Sequence, residues 1–289
     1  MAHDELVAEV QQLRQERDGY RNAYNIKSEE AGHLRSVAAP VLRESVDPEL
    51  EGKPGIFVAT LPKSGTVFIG HSLRLSLGYD HSNVLVTPTF PKNIIWEAML
   101  DDFMRGGMIS SSHLQPDETN IEILKRFGVE KILVHIRDPR AALSSWYHFR
   151  KDYNAGGGGL ANVSRVVAKR PQPLFKGPKA DVMNRLIPTW YAESVAWIGG
   201  WLERADDIPF LLKTHEELKA SGEKYIASTL EAFDLSAPVK LVERNAQSHF
   251  RKGDNVSWQE DFTKDQRKQL DAALPDEWIE RFGWLPKGG

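Results

Sequence analysis

Short apolar runs alternate with amphipathic stretches along the chain from residue 55 onwards. Four runs predict buried strands: GIFVATL at 55–61, VLV at 84–86, KILVHI at 131–136 and IPFLLK at 208–213. Helical apolar faces follow at 67–77 and 143–153, the second after the start signal Asp138-Pro139. Strands that alternate with helices predict an α/β domain, in which a parallel sheet is covered on both faces.

Residues 4–36 follow a different pattern, in which apolar and long side chains recur in steps of four and three. Such a heptad seam is typical of a coiled coil, although Arg17 and Lys27 interrupt it here. Two interpretations stay open: an arm that pairs copies of the chain into a homo-oligomer, or an amphipathic helix packed on its own domain or loosely attached. A proline-containing linker follows. We therefore predict an N-terminal helical arm over 1–45 and a second domain over 55–289.

Composition narrows the class of protein. The 289 residues carry a formal net charge of −3, whereas a general nucleic-acid binder normally has a basic excess. Cysteine is absent, which excludes disulfides, thiolate catalysis and cysteine-held metals. No apolar stretch approaches the roughly 18 residues of a membrane span. The start, MAHDELVAEV, has acids where a signal peptide needs a basic and then an apolar run. We expect a cytoplasmic protein with no nucleic-acid partner.

The stretch TLPKSGTVF, residues 60–68, follows directly on the first predicted strand. In the usual nucleotide-binding loop, G-x-x-x-x-G-K-[ST], the lysine comes after the second glycine. Here Lys63 precedes Gly65, and no glycine stands five residues upstream of the lysine. Backbone N–H groups at the start of the following helix favour an anion, and Lys63 adds a positive charge. The stretch therefore predicts an anion site, the alternative being a lysine at a helix N-terminus without a ligand.

Two further elements have the chemistry of anion binding. Arg137 leaves a predicted strand, and Ser145 follows eight residues later on a helix. The guanidinium can bind a phosphate through two hydrogen bonds, and the serine hydroxyl can add another donor. Late in the chain, FRKG at 250–253 places two basic residues beside a glycine. In a chain of net negative charge, these elements together indicate one ligand with two separate phosphate-like ends.

At this point the motifs resemble those of the sulfotransferases that use 3′-phosphoadenosine 5′-phosphosulfate (PAPS). TLPKSGTVF is similar to their 5′-phosphosulfate loop, usually T-Y-P-K-S-G-T-T-W. IRDPRAALSSWYHF is similar to their 3′-phosphate segment, and FRKGDNVSWQEDFT to their C-terminal R-K-G-x-x-G-D-W loop. The resemblance implies a three-layer fold like that of the P-loop NTPases, with a central parallel sheet flanked by helices and, here, an added N-terminal amphipathic helix.

Further stretches extend the resemblance over about residues 55 to 263. SHLQP at 112–116 resembles the T-H-L-P stretch that supplies the catalytic histidine of the family. LLKTHEEL at 211–218 resembles the strand end Y-E-D-[LM], with His215 in place of the tyrosine. The implied reaction transfers a sulfuryl group from PAPS to an acceptor hydroxyl, on a glycan or a small molecule, and releases adenosine 3′,5′-bisphosphate without a metal.

The resemblance also implies a role for each matching residue. His113 would act as the base for an in-line attack, and Lys63 would stabilise the leaving group. Phe68 would stack on adenine, for which Phe250 is the candidate second wall. The implied donor-binding residues are Lys63, Ser64, Gly65, Thr66, Val67, Phe68, Arg137, Ser145, His215, Phe250, Arg251, Lys252 and Gly253.

Two other functions remain as alternatives. A nucleotide kinase on the related fold would need a glycine before the loop and an aspartate placed to hold magnesium after a buried strand. A degenerate PAPS-binding protein, whose helical arm recruits neighbours, would have lost the charged set. The retained Lys63, His113, Arg137 and Arg251 favour the enzyme. The acceptor cannot be identified, because the predicted loops at 87–110 and 154–180 carry no recognisable signal.

Overall fold

The computed structural model of the chain describes residues 48–85, 90, 93–155, 175–243 and 257–287. The chain divides into two compact units, residues 1–51 and 52–289. The predicted helical arm over 1–45, and with it the predicted route to a homo-oligomer, lies outside the described residues. All strands and helices of the described residues lie in the second unit.

A five-stranded parallel sheet forms the centre of this unit, with the strand order β2-β3-β1-β4-β5. The strands are β1 Ile56–Thr60, β2 Asp80–His81, β3 Met108–Ser112, β4 Ile132–Ile136 and β5 Phe210–Thr214. Every residue of β1 and β4 is buried, so both faces of the sheet are covered there. The predicted parallel α/β architecture is confirmed.

Helices connect and flank the strands. They are α1 Thr66–Leu77, α2 Glu97–Met104, α3 Glu118–Arg126, α4 Pro139–Ala155, α5 Lys179–Leu186, α6 Ala192–Glu203, α7 His215–Ala220, α8 Gly222–Ala232, α9 Lys264–Ala272 and α10 Asp276–Phe282. A π-helical turn, Ile187–Tyr191, joins α5 to α6, and a 3-10 turn, Ser257–Asp261, precedes α9. Within the described part of the chain, no helix has the combination of length and apolarity that crossing a bilayer requires.

Two sequence predictions about strands are wrong. Val84 and Leu85 belong to no strand of the sheet; Leu85 forms a single antiparallel bridge with Ile95 instead. The strand that pairs at this edge is β2, and β3 lies between β2 and β1. The sequence MISSS of β3 has little β-pattern of its own, and pairing on both sides makes it a strand. The predicted loop over 87–110 therefore contains a helix, α2, and most of β3.

Candidate active site

The two predicted catalytic residues, Lys63 and His113, and the predicted donor-binding residue Arg137 follow neighbouring strands at the same edge of the sheet. β1 ends at Thr60 and continues into the loop of Lys63, whereas β3 ends directly before His113 and β4 directly before Arg137. In the parallel register, Ala59 of β1 is the partner of Ser112. Carboxyl ends of parallel strands form the crevice in which α/β proteins bind ligands. The fold thus brings together three side chains that lie up to 74 residues apart in the chain.

The loop between β1 and α1 turns sharply. Lys63 has a φ of 67°, a left-handed conformation that non-glycine residues rarely adopt, and Gly65 has a φ of 111°. A Cβ on Gly65 would also lie 3.0 Å from Leu218 Cδ2, so only glycine fits there without strain. Helix α1 begins at Thr66 without a side-chain cap. Its first N–H groups have no helical acceptor, so they could hold an anion.

Side chains of the protein interior donate hydrogen bonds to the carbonyl groups of this loop. Arg137 Nη1 donates to the carbonyl oxygen of Lys63 at 2.7 Å. The carbonyl oxygen of Ser64 accepts from His135 Nε2 at 2.9 Å and from His215 Nδ1 at 2.8 Å. The hydroxyl of Ser64 is fully buried and donates to the carbonyl oxygen of Leu61. The Ser64 side chain therefore stabilises the turn.

The side chain of Lys63 lies against an aromatic ring. Its Nζ is 4.1 Å from the centroid of Phe149 on α4, the geometry of a cation–π interaction. Burial, and secondarily the charge of Arg137, lower the pKa of Lys63 to about 8. The ammonium is thus held charged at pH 7 in a poorly solvated place, where a bound anion would interact with it strongly.

The hydrogen bonds of His113 define its tautomer. Nδ1 lies 2.9 Å from the carbonyl oxygen of Thr60 and 3.2 Å from the Thr60 hydroxyl. Because a carbonyl only accepts, Nδ1 carries the hydrogen, and Nε2 of the neutral ring carries a lone pair. Burial lowers the pKa of His113, the hydrogen bond to Thr60 opposes this shift, and the charge of Lys63 adds to it. The imidazole is therefore neutral at pH 7, with a basic nitrogen at Nε2.

Helix α6 fixes the segment that carries His113. The indole N–H groups of Trp197 and Trp201 both donate to the carbonyl oxygen of Leu114, at 2.7 and 3.2 Å. Both indoles are buried, as expected for core tryptophans. The backbone next to His113 is thus held by two rigid donors, which limits the movement of its imidazole.

Thr60 links His113 to the loop between β1 and α1, residues 61–65, which we call the anion loop after the site predicted for it. The motifs did not reveal this contact. The hydroxyl of Thr60 lies 2.6 Å from the hydroxyl of Thr66 at the start of α1, and also reaches His113 Nδ1 and the carbonyl oxygen of Ser112. Phe149, beside Lys63, was missed as well, since no spacing rule connects positions 86 residues apart. For Thr60, the sequence offered one signal, a polar residue at the end of an otherwise apolar strand.

The other predicted donor-binding residues have different surroundings. Phe68 is buried, and its ring packs against Gly222 at the start of α8. Val67 is 66% exposed, and Ser145 is half-buried on α4. The prediction that His215 contacts adenine stays a prediction. Its Nδ1 already donates to Ser64, so only Nε2 is available for adenine. Outside the described residues lie Phe250, Arg251, Lys252 and Gly253.

An aromatic row extends from Lys63 along α4 to the π-helical turn. It consists of Phe149, Trp146, Trp190 and Phe90. Trp146 stacks on Trp190 with a centroid distance of 5.7 Å and an interplanar angle of 12°. Phe149 lies 5.9 Å from Trp146, and Phe90 lies 5.9 Å from Trp190. One side of the site is therefore polar and the other aromatic.

Comparisons with known proteins agree on one family. The family model of the sulfotransferase domain matches residues 53–246. Sulfotransferase 6B1 of Danio rerio is 24% identical over 186 residues, and the match spans 55% of each chain, about half the length of that relative.

Two solved structures are similar to this chain. Mouse sulfotransferase SULT7A1 complexed with PAP has a TM-score of 0.54 at 14% identity, covering 81% of this chain and 86% of its own. A sulfotransferase from Alicyclobacillus acidocaldarius has a TM-score of 0.47 at 13% identity, covering 76% and 91%. The similarity to the mouse structure shows a shared fold.

Proposed function

The chain belongs to the sulfotransferase family, and we propose that it transfers a sulfuryl group from PAPS to the hydroxyl of an acceptor. One observation carries this proposal beyond family membership. The anion loop, which carries the half-buried ammonium of Lys63, follows β1, and the neutral imidazole of His113, with a basic Nε2, follows the adjacent strand β3. Thr60 is hydrogen-bonded both to Thr66, directly after the loop, and to His113. A transfer between an anionic donor and a hydroxyl needs both the ammonium and the imidazole.

The anion loop would hold the 5′ end of the donor. The N–H groups at the start of α1 and the hydroxyl of Thr66 would bind phosphate and sulfate oxygens. Lys63 would lie beside the oxygen that bridges phosphorus and sulfur. As the bond from sulfur to that oxygen breaks, negative charge develops on the oxygen, and the ammonium stabilises it.

His113 would accept the proton of the acceptor. As the acceptor oxygen forms its bond to sulfur, on the side opposite the breaking bond, Nε2 takes the hydroxyl proton. The positive charge that this creates on the ring is stabilised through Nδ1–H by the carbonyl oxygen of Thr60. Holding the base, the donor and the acceptor in line contributes much of the rate.

The 3′-phosphate and adenine would be bound at the beginning of α4 and beside α8. We assign the 3′-phosphate to Arg137 and Ser145, together with Arg251, Lys252 and Gly253 of the C-terminal motif. Arg137 also donates to the carbonyl oxygen of Lys63, so the same guanidinium would connect the two ends of the donor site. Phe68, packed against Gly222, would stack on adenine.

The acceptor would lie along the aromatic row. Phe149 lies beside Lys63, Trp146 adjoins Phe149, and both rings are half-buried, so an acceptor beside Lys63 would contact their exposed parts. Aromatic faces bind sugar rings and planar molecules alike through apolar contact. This supports a hydroxyl on a glycan or a small molecule as the group that is sulfated.

Ligand-induced stabilisation tests the donor site. A ligand that binds only the native state, at a hundred times its Kd, stabilises the protein by about 2.7 kcal/mol. We expect adenosine 3′,5′-bisphosphate to raise Tm more than ATP or AMP does, without magnesium. Equal shifts with ATP, or a strict requirement for magnesium, would support a nucleotide kinase instead.

Turnover with labelled PAPS tests the activity itself. The full chain is incubated with pooled glycans, phenols and small alcohols, and label in any acceptor is measured. We expect transfer that depends on both PAPS and acceptor. Stabilisation by the bisphosphate without transfer to any acceptor would indicate a donor-binding protein that has lost catalysis.

A further inference from the structure

Two histidines from different elements converge on one backbone oxygen of the anion loop. His135 lies within β4, and His215 is the first residue of α7. Both donate to the carbonyl oxygen of Ser64, at 2.9 and 2.8 Å, and their rings meet edge to face at 6.3 Å. His135 is fully buried and His215 is 6% exposed. We call this arrangement the Ser64 clamp.

The tautomer of each ring follows from its partners. Because the carbonyl only accepts, His135 carries its hydrogen on Nε2 and His215 carries its hydrogen on Nδ1. The other nitrogen of His135 lies 2.8 Å from the buried hydroxyl of Tyr225, which therefore donates to it. Burial lowers the pKa of His135 to about 4 and that of His215 to about 3, so both rings are neutral donors at pH 7.

The clamp determines the direction of the next N–H group. In a planar trans peptide, the N–H of Gly65 points away from the C=O of Ser64. When two buried donors hold that oxygen towards the interior, the Gly65 N–H turns to the opposite side, where α1 begins. Leu218 of α7 also packs against Gly65, so α7 supports the same peptide at two points.

We propose that His135 and His215 are positioning residues, which orient the Gly65 N–H towards the 5′-phosphosulfate of the donor. The proposal rests on the proposed function, because it concerns the same donor site. It gives His215 a role in holding the loop, in addition to the adenine contact expected from its motif. Neither histidine has to touch the donor for this role.

The experiment must separate orientation of the loop from general stability. Adenosine 3′,5′-bisphosphate uses both ends of the donor site, whereas adenosine 3′-monophosphate lacks the group that the loop would bind. Calorimetric titration of both nucleotides therefore compares the 5′ contact with the remainder of the site in one protein. A substitution that merely destabilises the fold should weaken the binding of both nucleotides to the same extent.

Amide side chains of matched length provide the variants. His135→Gln places its amide N–H near the position of Nε2, and His215→Asn places its amide N–H near the position of Nδ1. The exchanged pair, His135→Asn and His215→Gln, keeps a buried amide but misplaces the donor. All four variants keep a polar group, so the comparison does not depend on alanine variants that fail to fold.

We expect each exchanged variant to bind the bisphosphate roughly tenfold more weakly than the wild type, because an oriented hydrogen bond to an anion is lost. Their affinity for the monophosphate should change less than about twofold. The matched variants, His135→Gln and His215→Asn, should retain most of the affinity for the bisphosphate. Equal losses of affinity for both nucleotides, or no loss of affinity for the bisphosphate in the exchanged variants, would overturn the proposed role of the clamp. A wild-type chain with no preference for the bisphosphate would overturn the proposed function and the clamp with it.

Discussion

Lys63 belongs to two regions that are built in opposite ways. Its backbone is part of the anion loop, whose carbonyl groups accept hydrogen bonds from three buried side chains. Its ammonium lies over Phe149, the first member of the aromatic row. In the loop, directional hydrogen bonds fix the position of each atom within a narrow range. In the row, apolar contact is non-directional and depends on the area that is covered.

This difference predicts how the two regions respond to substitution. On the polar side, removal of one group leaves a buried partner unsatisfied or a developing charge unstabilised, so single changes should be severe. Along the aromatic row, a truncated ring removes part of a larger surface, so single changes should be moderate. The experiments below test this order, beginning with the largest expected effect.

Loss of the base should have the largest effect. His113→Ala is expected to lower kcat by roughly 100-fold or more, in line with general-base contributions. Donor affinity should hardly change, since Nε2 would contact the acceptor. Steady-state kinetics and calorimetric titration of the donor measure both quantities.

A matched control is His71→Ala on the exposed side of α1, which should leave kcat unchanged. Near wild-type turnover of His113→Ala would overturn the assignment of the base and leave the family membership untouched. A large loss of donor affinity would place His113 with the anion loop.

The fall in kcat/KM at alkaline pH, the alkaline limb of the pH profile, should come from the loss of the positive charge of Lys63. Its pKa is lowered to about 8, so the free protein loses this positive charge as pH rises through that value. We therefore expect kcat/KM for the donor to fall about tenfold per pH unit above it, because kcat/KM follows groups of the free enzyme. At saturating donor, the bound anion stabilises the ammonium, and the limb in kcat should move to higher pH.

Lys63→Arg tests the assignment of this limb. Arginine stays charged over the whole range, so the limb near pH 8 should disappear, although the changed geometry will lower the rate. Lys53→Arg is the control, since Lys53 is exposed and precedes the opposite end of β1. A limb that persists in Lys63→Arg would have to come from another group.

The sequence predicted the polar side better than the aromatic side for a physical reason. The anion loop and Arg137 each follow a predicted strand directly, so their place at the sheet edge follows once the strands are parallel. His113 was identified through the resemblance of its motif instead, because its strand, β3, was not predicted. The partners of the loop could not be predicted in this way. His135 and His215 lie 71 and 151 residues from Ser64, and only the packed fold brings them to its carbonyl oxygen.

The same limit applies to the strands. β1 and β4 were predicted, because continuous apolar runs mark strands that are buried on both faces. β3 was missed because its serines fit a loop as well as a strand, and the choice depends on pairing with β1 and β2. Val84 and Leu85 have the apolar pattern of a strand but have no place in the sheet.

Substitutions in the aromatic row should have the smallest effect on activity. They should change acceptor binding without changing donor binding. Trp146 adjoins Phe149, and a pair formed between its ring and an aromatic ring of the acceptor would contribute about 0.5–1.5 kcal/mol beyond the area that it buries. Trp146→Ala is therefore expected to raise the KM for the acceptor roughly three- to tenfold. Donor affinity and the alkaline limb should stay as in the wild type, because the loop keeps all its donors.

Trp146→Phe sharpens this result, because a smaller ring keeps part of the stacked surface. Its acceptor KM should lie between those of the wild type and Trp146→Ala, a graded response that a directional contact would not give. Acceptor titrations at saturating donor measure this series. If Trp146→Ala lowered kcat as strongly as His113→Ala, the row would take part in positioning the reacting atoms. The division between a directional donor side and an area-dependent acceptor side would then be wrong.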